Sequence, residues 1–307
     1  MSGGPVARHE PAPGSAPASG PVTRTRTGPT LLRMMLGAAL RRYREAAGLT
    51  TAAAGYAVRG THSKISRIEL GRVTAKHRDV ADLLTLYGVT DPDVREGLLE
   101  LARQASVQGW WQQYTDVMPD WFERYVGLER AAAEIRGYQV QFVPGLLQTQ
   151  DYAHAVIRIG NQHATAAEID RRVRLRMERQ RLLTEPDPPK LWTVLDEAAL
   201  RRAPSGRDSM RAQLRHLLEV TELPHVTVQV VPFSSGAHAA AGGAFSILRF
   251  EGWDVPDVVF LEQINSAEYL DDPAQVLNYR TMMDQLGVQA ATPAASREIL
   301  QALLREI

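Results

Sequence analysis

Apolar residues recur at helical spacing through the first third of the chain. Leu32, Leu36, Ala39, Leu40 and Tyr43 predict a helix over Leu31–Ala47. Thr50 is a good N-cap for a short second helix, and the small residues Ala52, Ala53, Ala54 and Gly55 let a neighbour approach it closely. A turn at Arg59-Gly60 leads to a third helix, capped by Thr61, whose buried edge is Ile65 and Ile68; Val58 and Ile65 point into one small core. Val80, Leu83, Leu84 and Tyr87 predict a fourth helix over Lys76–Tyr87, ended by Gly88. Asp91-Pro92 opens a fifth, carrying Leu98, Leu99 and Leu101 to about Ala105, because Asp caps and proline is tolerated at the first helical position.

The pattern changes after Gly109-Trp110-Trp111. Asp120 is read as the cap of a helix through Arg136, with Trp121, Tyr125, Leu128, Ala132 and Ile135 on its apolar side. Gln139–Thr149 reads as a partly apolar loop, followed by helices over Gln150–Gly160 and Ala166–Leu183. Period-two or β-branched runs predict four strands, at Leu191–Leu195, Val226–Val231, Phe245–Phe250 and Val258–Leu261. Helices are expected over Asp208–Glu222, from Asp272-Pro273 to Gly287, and from Thr292-Pro293 to the C-terminus. The expected architecture is an N-terminal all-α five-helix domain over 31–105 and a C-terminal α+β domain over 106–307, with a small, mostly antiparallel sheet wrapped by helices. Residues 1–30 form a Gly-, Pro-, Ala-, Ser- and Thr-rich tail without an apolar signal region. It is expected to be disordered, and its Arg24 and Arg26 either lie idle or brush phosphates.

Charge sharpens this picture. The chain of 307 residues has 35 basic and 35 acidic side chains, so its formal net charge is zero. Residues 31–80 nevertheless hold Arg33, Arg41, Arg42, Arg44, Arg59, Lys64, Arg67, Arg72, Lys76 and Arg78 against only Glu45, Glu69 and Asp79. A basic module on a neutral chain is an electrostatic footprint for phosphate. There are no cysteines, which excludes disulfides and thiol catalysis and fits a reducing cytoplasm. No apolar run reaches the roughly 18–20 residues needed to span a bilayer, so no membrane partner is expected.

The second and third helices read as a helix-turn-helix for the major groove of double-stranded DNA. His62, Ser63 and Arg67 share the polar side of the third helix and are the candidate base contacts. Thr51, Lys64, Ser66, Arg72 and Lys76 are the candidate phosphate contacts around them. The order Arg44 to Gly48-Leu49-Thr50, followed by Ile65-Ser66-Arg67-Ile68-Glu69-Leu70-Gly71, resembles the Cro/repressor-type (XRE) helix-turn-helix. That resemblance implies the five-helix repressor fold and an internal ion pair between Arg44 and Glu69. The chain departs from the family at three places: Thr51 stands for the usual Gln, Arg59 for the turn glycine, and His62 for the Gln at the first recognition position. An arginine at positive φ would cost on the order of 1 kcal/mol.

Beyond this motif, Trp110-Trp111, Glu129, Val143-Pro144-Gly145-Leu146-Leu147-Gln148-Thr149, Asp196-Glu197-Ala198-Ala199-Leu200, Val228–Phe233 and Gly236-Ala237-His238 resemble a group of actinobacterial repressor-type regulators. Their C-terminal domain is Scr1-like, and the WhiJ-like developmental regulators belong to them. The resemblance implies a cytoplasmic regulator of development or secondary metabolism, often encoded beside a small partner protein in a toxin–antitoxin-like arrangement.

Chemistry in the second part is sparse. Asp196 and Glu197 are adjacent and diverge, so they are not a paired-carboxylate site; Asp196 reads better as the cap of a short helix, Glu197–Arg202. Trp110, Trp111, Trp121, Tyr125 and His238 are either core and loop residues or the lining of an effector pocket. The histidines lack metal-ligand spacing, and no nucleophile–base pair is evident, so neither metal, cofactor nor catalytic residue is expected. The reading is a DNA-binding regulator, as a homodimer, modulated by a ligand or small partner protein. An antitoxin with autoregulation and a DNA-tethered enzyme stand as alternatives.

Overall fold

The computed structural model describes residues 28–240, 242–251 and 255–307. The expected tail over 1–30, with Arg24 and Arg26, lies almost wholly outside them. Helix α1 (Pro29–Ala46) starts on a proline, whose missing N–H is an unused donor at that position. Buried Leu36 and Leu40 face α2 (Thr51–Ala57), α3 (His62–Glu69), α4 (His77–Leu86) and α5 (Pro92–Ala105), where Ala54, Ile65, Ile68, Val80, Leu83 and Leu84 complete a core. Thr50 accepts from the Ala53 N–H and Thr61 from the Lys64 N–H, so both short helices start with a satisfied donor. Asp91 does the same for α5 through the N–H groups of Asp93 and Val94.

Two glycines let this bundle close. A Cβ on Gly55 would lie 2.8 Å from the Thr61 carbonyl carbon, and one on Gly37 only 2.5 Å from the carbonyl oxygens of Ile68 and Glu69. A side chain at either position would push α3 out of place.

The C-terminal part runs α6 (Asp120–Ala131), β1 (Glu134–Gln139), α7 (Gln150–Gly160), α8 (Ala166–Gln180), β2 (Lys190–Asp196), α9 (Glu197–Arg201), α10 (Arg207–Val220), β3 (Val226–Val231), β4 (Phe245–Arg249), β5 (Val258–Glu262), β6 (Ala267–Leu270), α11 (Pro273–Gln289) and α12 (Pro293–Glu306). Its sheet has the order β3-β2-β1-β4-β5-β6 and is mixed. β1, β2 and β3 are parallel, as their helical crossovers require, while β4, β5 and β6 pair antiparallel from β1 outward. One face packs on α6, α10 and α12 through Leu128, Leu214, Leu217, Leu300 and Leu303. The other packs on α11 through Val276, Met283 and Leu286. The β3 edge is closed by the α11–α12 connection: the Ala291 N–H donates to the Val230 carbonyl, and the Val230 N–H donates to Ser296 Oγ.

The helix expected through Arg136 ends at Ala131, and the strand that follows it is the centre of the sheet. Ala131-Ala132-Ala133 continues a helical pattern, but Ala133 donates to Arg249 and accepts from Lys190, which starts strand pairing there. Asp120 is the first helical residue of α6 and makes no side-chain cap; Pro119 holds the cap position. β6 is a short, half-exposed strand without a sequence signal.

Helix α1 belongs to both cores. Its first two turns send Leu31 and Met34 into the C-terminal core beside Tyr125 and Leu128. Thr30 presses on α6 so tightly that a Cβ on Gly127 would sit 2.0 Å from its hydroxyl. No described helix is long and apolar enough to cross a membrane.

Candidate nucleic-acid interface

The turn between α2 and α3 is a Schellman motif. The Gly60 N–H reaches the Gly55 carbonyl at 2.8 Å and the Arg59 N–H the Tyr56 carbonyl at 3.1 Å. Arg59 therefore takes the left-handed position, with φ 51°, as the one non-glycine residue at positive φ among the described residues. Gly60 is not at positive φ, but a Cβ there would lie 2.7 Å from the Lys64 side chain.

Helix α3 has two unlike sides. Ile65, Ile68 and Glu69 are buried, while His62, Ser63 and Arg67 are exposed and Ser66 is half-exposed. The His62 and Arg67 side chains have no hydrogen bond or ion pair among the described residues. Thr51 begins α2, half-exposed, and Arg72 and Lys76 stand exposed beyond the end of α3. Lys64 is turned inward by comparison: its ammonium lies 2.6 Å from Asp79 Oδ2, tying α3 to α4.

The orientation of α3 rests on a buried fork. Arg44 Nε donates to Glu69 Oε1 at 2.6 Å and Nη2 to Oε2 at 2.9 Å, while Nη1 donates to the Leu49 carbonyl at 2.7 Å. One guanidinium thus fixes the ends of α1 and α3 and the loop before α2. Hydrogen bonding to Glu69 raises the Arg44 pKa above its ordinary value. Burial, with the Glu69 charge adding to it, pushes the neighbouring Tyr87 phenol up to about 12. The Tyr87 hydroxyl is buried without a hydrogen-bond partner among the described residues.

The five candidate effector residues do not form one pocket. Trp111 is buried with Tyr114, Val126 and Leu175, edge-on to half-buried Trp110 at 5.9 Å. Tyr125 stacks on Phe122 and sits 4.3 Å from the Phe260 ring in the main core; Trp121 lies edge-on to Phe122. A cavity beside Trp110, Glu129 and Arg179 holds about 20 Å³, room for no more than a water. His238 is held elsewhere, with Nε2 at 3.0 Å from the Tyr138 hydroxyl, which donates to Asp196 Oδ2 at 3.2 Å. Asp196 Oδ1 accepts from the Ala198 N–H and caps α9, whereas Glu197 accepts from the Phe233 N–H. The two carboxylates thus serve different elements.

A second buried fork was not visible from sequence. Arg179 on α8 donates to both oxygens of Glu129 on α6, at 2.8 and 2.6 Å, with its guanidinium over the Phe122 and Tyr125 rings. Nothing in the charged run of α8 marks Arg179 apart from its less deeply buried charged neighbours. Among the described residues, no group of His, Asp or Glu side chains is arranged to hold a metal ion.

Comparison with known families agrees with this geometry. A family model described as a helix-turn-helix domain matches residues 35–98, which span most of α1 to α5 and support a DNA-binding regulator. No curated protein and no solved structure matches the chain. A second model, described as a domain of unknown function (DUF5753), matches residues 122–302, more than half of the chain, from α6 into α12. The chain belongs to the DUF5753 family, with a helix-turn-helix domain ahead of that region.

Proposed function

We propose that this protein is a sequence-specific transcriptional regulator of the Cro/repressor type, with an Scr1-like C-terminal domain as in the WhiJ-like group. The observation that carries the reading is the outer side of α3. His62, Ser63 and Arg67 are exposed there, while Arg44 and Glu69 hold the helix from behind. Unsatisfied donors on a rigid helix suit base edges in the major groove. In this reading Thr51, Ser66, Arg72 and Lys76 meet the phosphates on either side, and Lys64 serves by locking α3 to α4. The chain acts as a homodimer on two half-sites, because one helix-turn-helix covers only one. Residues 106–307 are the effector part, through which a ligand or a small partner protein from a neighbouring gene shifts operator affinity. Its process is development or secondary metabolism, in the cytoplasm.

The test is selection of bound sequences from a random duplex pool by the full chain. Enrichment of a two-fold-related motif, with half-sites about one helical turn apart, supports the reading. Retention without any enriched sequence would leave an unspecific DNA binder and overturn it.

A further inference from the structure

Three arginines from three separate elements meet where α1, α6 and the turn after α3 converge. The close contact of Thr30 with Gly127 joins the two helices, and Arg33 and Arg124 stand one turn away along each. A Cβ on Gly71 would lie 2.7 Å from Met34 Cγ, so the next residue, Arg72, is held against α1 as well. The charges of Arg33 and Arg72 both act on Arg124.

This seam is short of acceptors. Arg33 Nη2 donates to Thr30 Oγ1 at 2.9 Å, but its Nε is buried without a partner. Arg124 lies 4.3 Å over the Tyr269 ring, and its Nη2 is buried and unpaired. Arg72 is exposed and has no hydrogen bond or ion pair from its side chain among the described residues. Glu123 and Asp271 act on the group only at a distance, and Glu123 is engaged by Gln112. Burial, together with these like charges, holds the pKa of Arg124 below its ordinary value. Guanidinium N–H groups left unpaired beside like charges are costly unless an anion joins them.

We infer that Arg33, Arg72 and Arg124 form a binding site for a phosphate-class oxyanion at the junction of the helix-turn-helix and the C-terminal part. A tetrahedral oxyanion accepts several N–H donors at once, and guanidinium forks match it better than point charges do. The site opens to solvent at Arg72, at the end of α3. Two sources share this chemistry: a phosphodiester of the DNA backbone, and free phosphate or a phosphorylated small molecule. Only the first source rests on the DNA-binding reading. In either case the ligand would tie α6 to the element that carries the recognition helix.

The experiment uses the full chain, with Arg33→Gln, Arg124→Gln and Arg72→Gln variants. The last is exposed and covers the case in which a buried substitution unfolds the protein. In one arm inorganic phosphate is titrated against chloride at matched ionic strength, without DNA, and thermal melting is followed. A free-ion site raises the melting temperature of the unmodified chain with phosphate concentration and loses that response in the variants. In the other arm, affinity for a random-sequence duplex is measured against salt. A phosphodiester site flattens the log–log slope by about one unit in Arg33→Gln and in Arg124→Gln; Arg72→Gln flattens it on the DNA-binding reading alone, so that variant counts only in the phosphate arm. Variants that leave both arms unchanged overturn the inference. If the unmodified chain binds no duplex at all, the DNA-binding reading fails, and the phosphate arm alone decides this one.

Discussion

Arg59 takes at the end of α2 the left-handed conformation that Gly71 takes at the end of α3. The likeness extends further, because α1, α2, α3 and α4 all end in the same pair of hydrogen bonds, with Gly48, Arg59, Gly71 and Gly88 in the left-handed position. Three of the four helices use the residue that has no Cβ to strain. Arg59→Gly is expected to raise stability by about 0.5 kcal/mol, the relieved strain being offset in part by the greater freedom glycine gains in the unfolded chain. Denaturant melts of the two full chains would measure it. A destabilised Arg59→Gly protein would mean that the arginine side chain makes a contribution larger than the strain.

Glu69→Ala should be far more damaging than its surface-like sequence setting suggests. It leaves Arg44, a residue 8% exposed, without its bidentate carboxylate, holding only the Leu49 carbonyl and the longer 3.4 Å contact to Glu45. Removing one side of a buried pair costs roughly 3–5 kcal/mol. The helical N-terminal part should then lose its cooperative melt, with DNA binding lost as a consequence. An unchanged melt with weakened binding would instead make Glu69 a DNA-side residue.

Tyr87 gives a pH test of the same corner. Its phenol is raised to about 12 by burial and by Glu69, against about 10 in the unfolded chain. A raised folded pKa in an acid means that the neutral form is favoured by the fold. That contribution is present below pH 10 and is lost as pH rises toward 12. Tyr87→Phe removes the titrating group together with a buried hydroxyl that has no partner. Its melting temperature should match or exceed the parent's at neutral pH and fall less between pH 10 and 12. Parallel decline of both proteins would place the alkaline transition at other tyrosines.

Much of the helical part is legible in the sequence because its boundaries are local chemistry. Thr50, Thr61, Asp91 and Asp272 each cap the helix that follows them, and those caps are readable residue by residue. β1 is different. Its partners β2 and β4 lie far downstream, and an alanine run hides the break after α6. The site divides in the same way. The polar side of α3 follows from helical spacing, whereas the Arg44–Glu69 pairing, 25 residues apart, was suggested only by family resemblance. Arg33 and Arg124 converge because Thr30 and Gly127 pack together, and Arg72 joins them because Gly71 packs on Met34, contacts no periodicity encodes.

Arg67 and the Arg72–Lys76 pair should separate specificity from affinity. Arg67→Ala removes an exposed fork able to read guanine, so it should cost roughly 1–3 kcal/mol on the selected operator and little on random duplex. Arg72→Ala with Lys76→Ala should weaken both duplexes alike and lower the salt slope by about two units. Equal losses from Arg67→Ala on both duplexes would move that residue to the phosphates.

The last prediction concerns the link between the two parts of the chain. Gly127 admits Thr30 only because it has no side chain, and a Cβ there would also lie 3.2 Å from the Trp111 ring. Overpacking at such a contact typically costs about 1–3 kcal/mol. Gly127→Ala should therefore push α1 away from α6, exposing Leu31 and Met34, which serve the C-terminal core from α1. The helices behind α3 are held by Leu36 and Leu40 on another part of α1, so their own core should survive. Thr30→Ala removes the hydroxyl in the closest contact and should partly rescue Gly127→Ala, although each change alone is destabilising. That non-additivity is the signature of two residues sharing one contact. Melting of the single and double variants measures it, and duplex affinity of the same proteins shows whether the seam transmits to α3. Strictly additive melts, with unchanged DNA affinity, would mean that the α1–α6 contact is a passive joint.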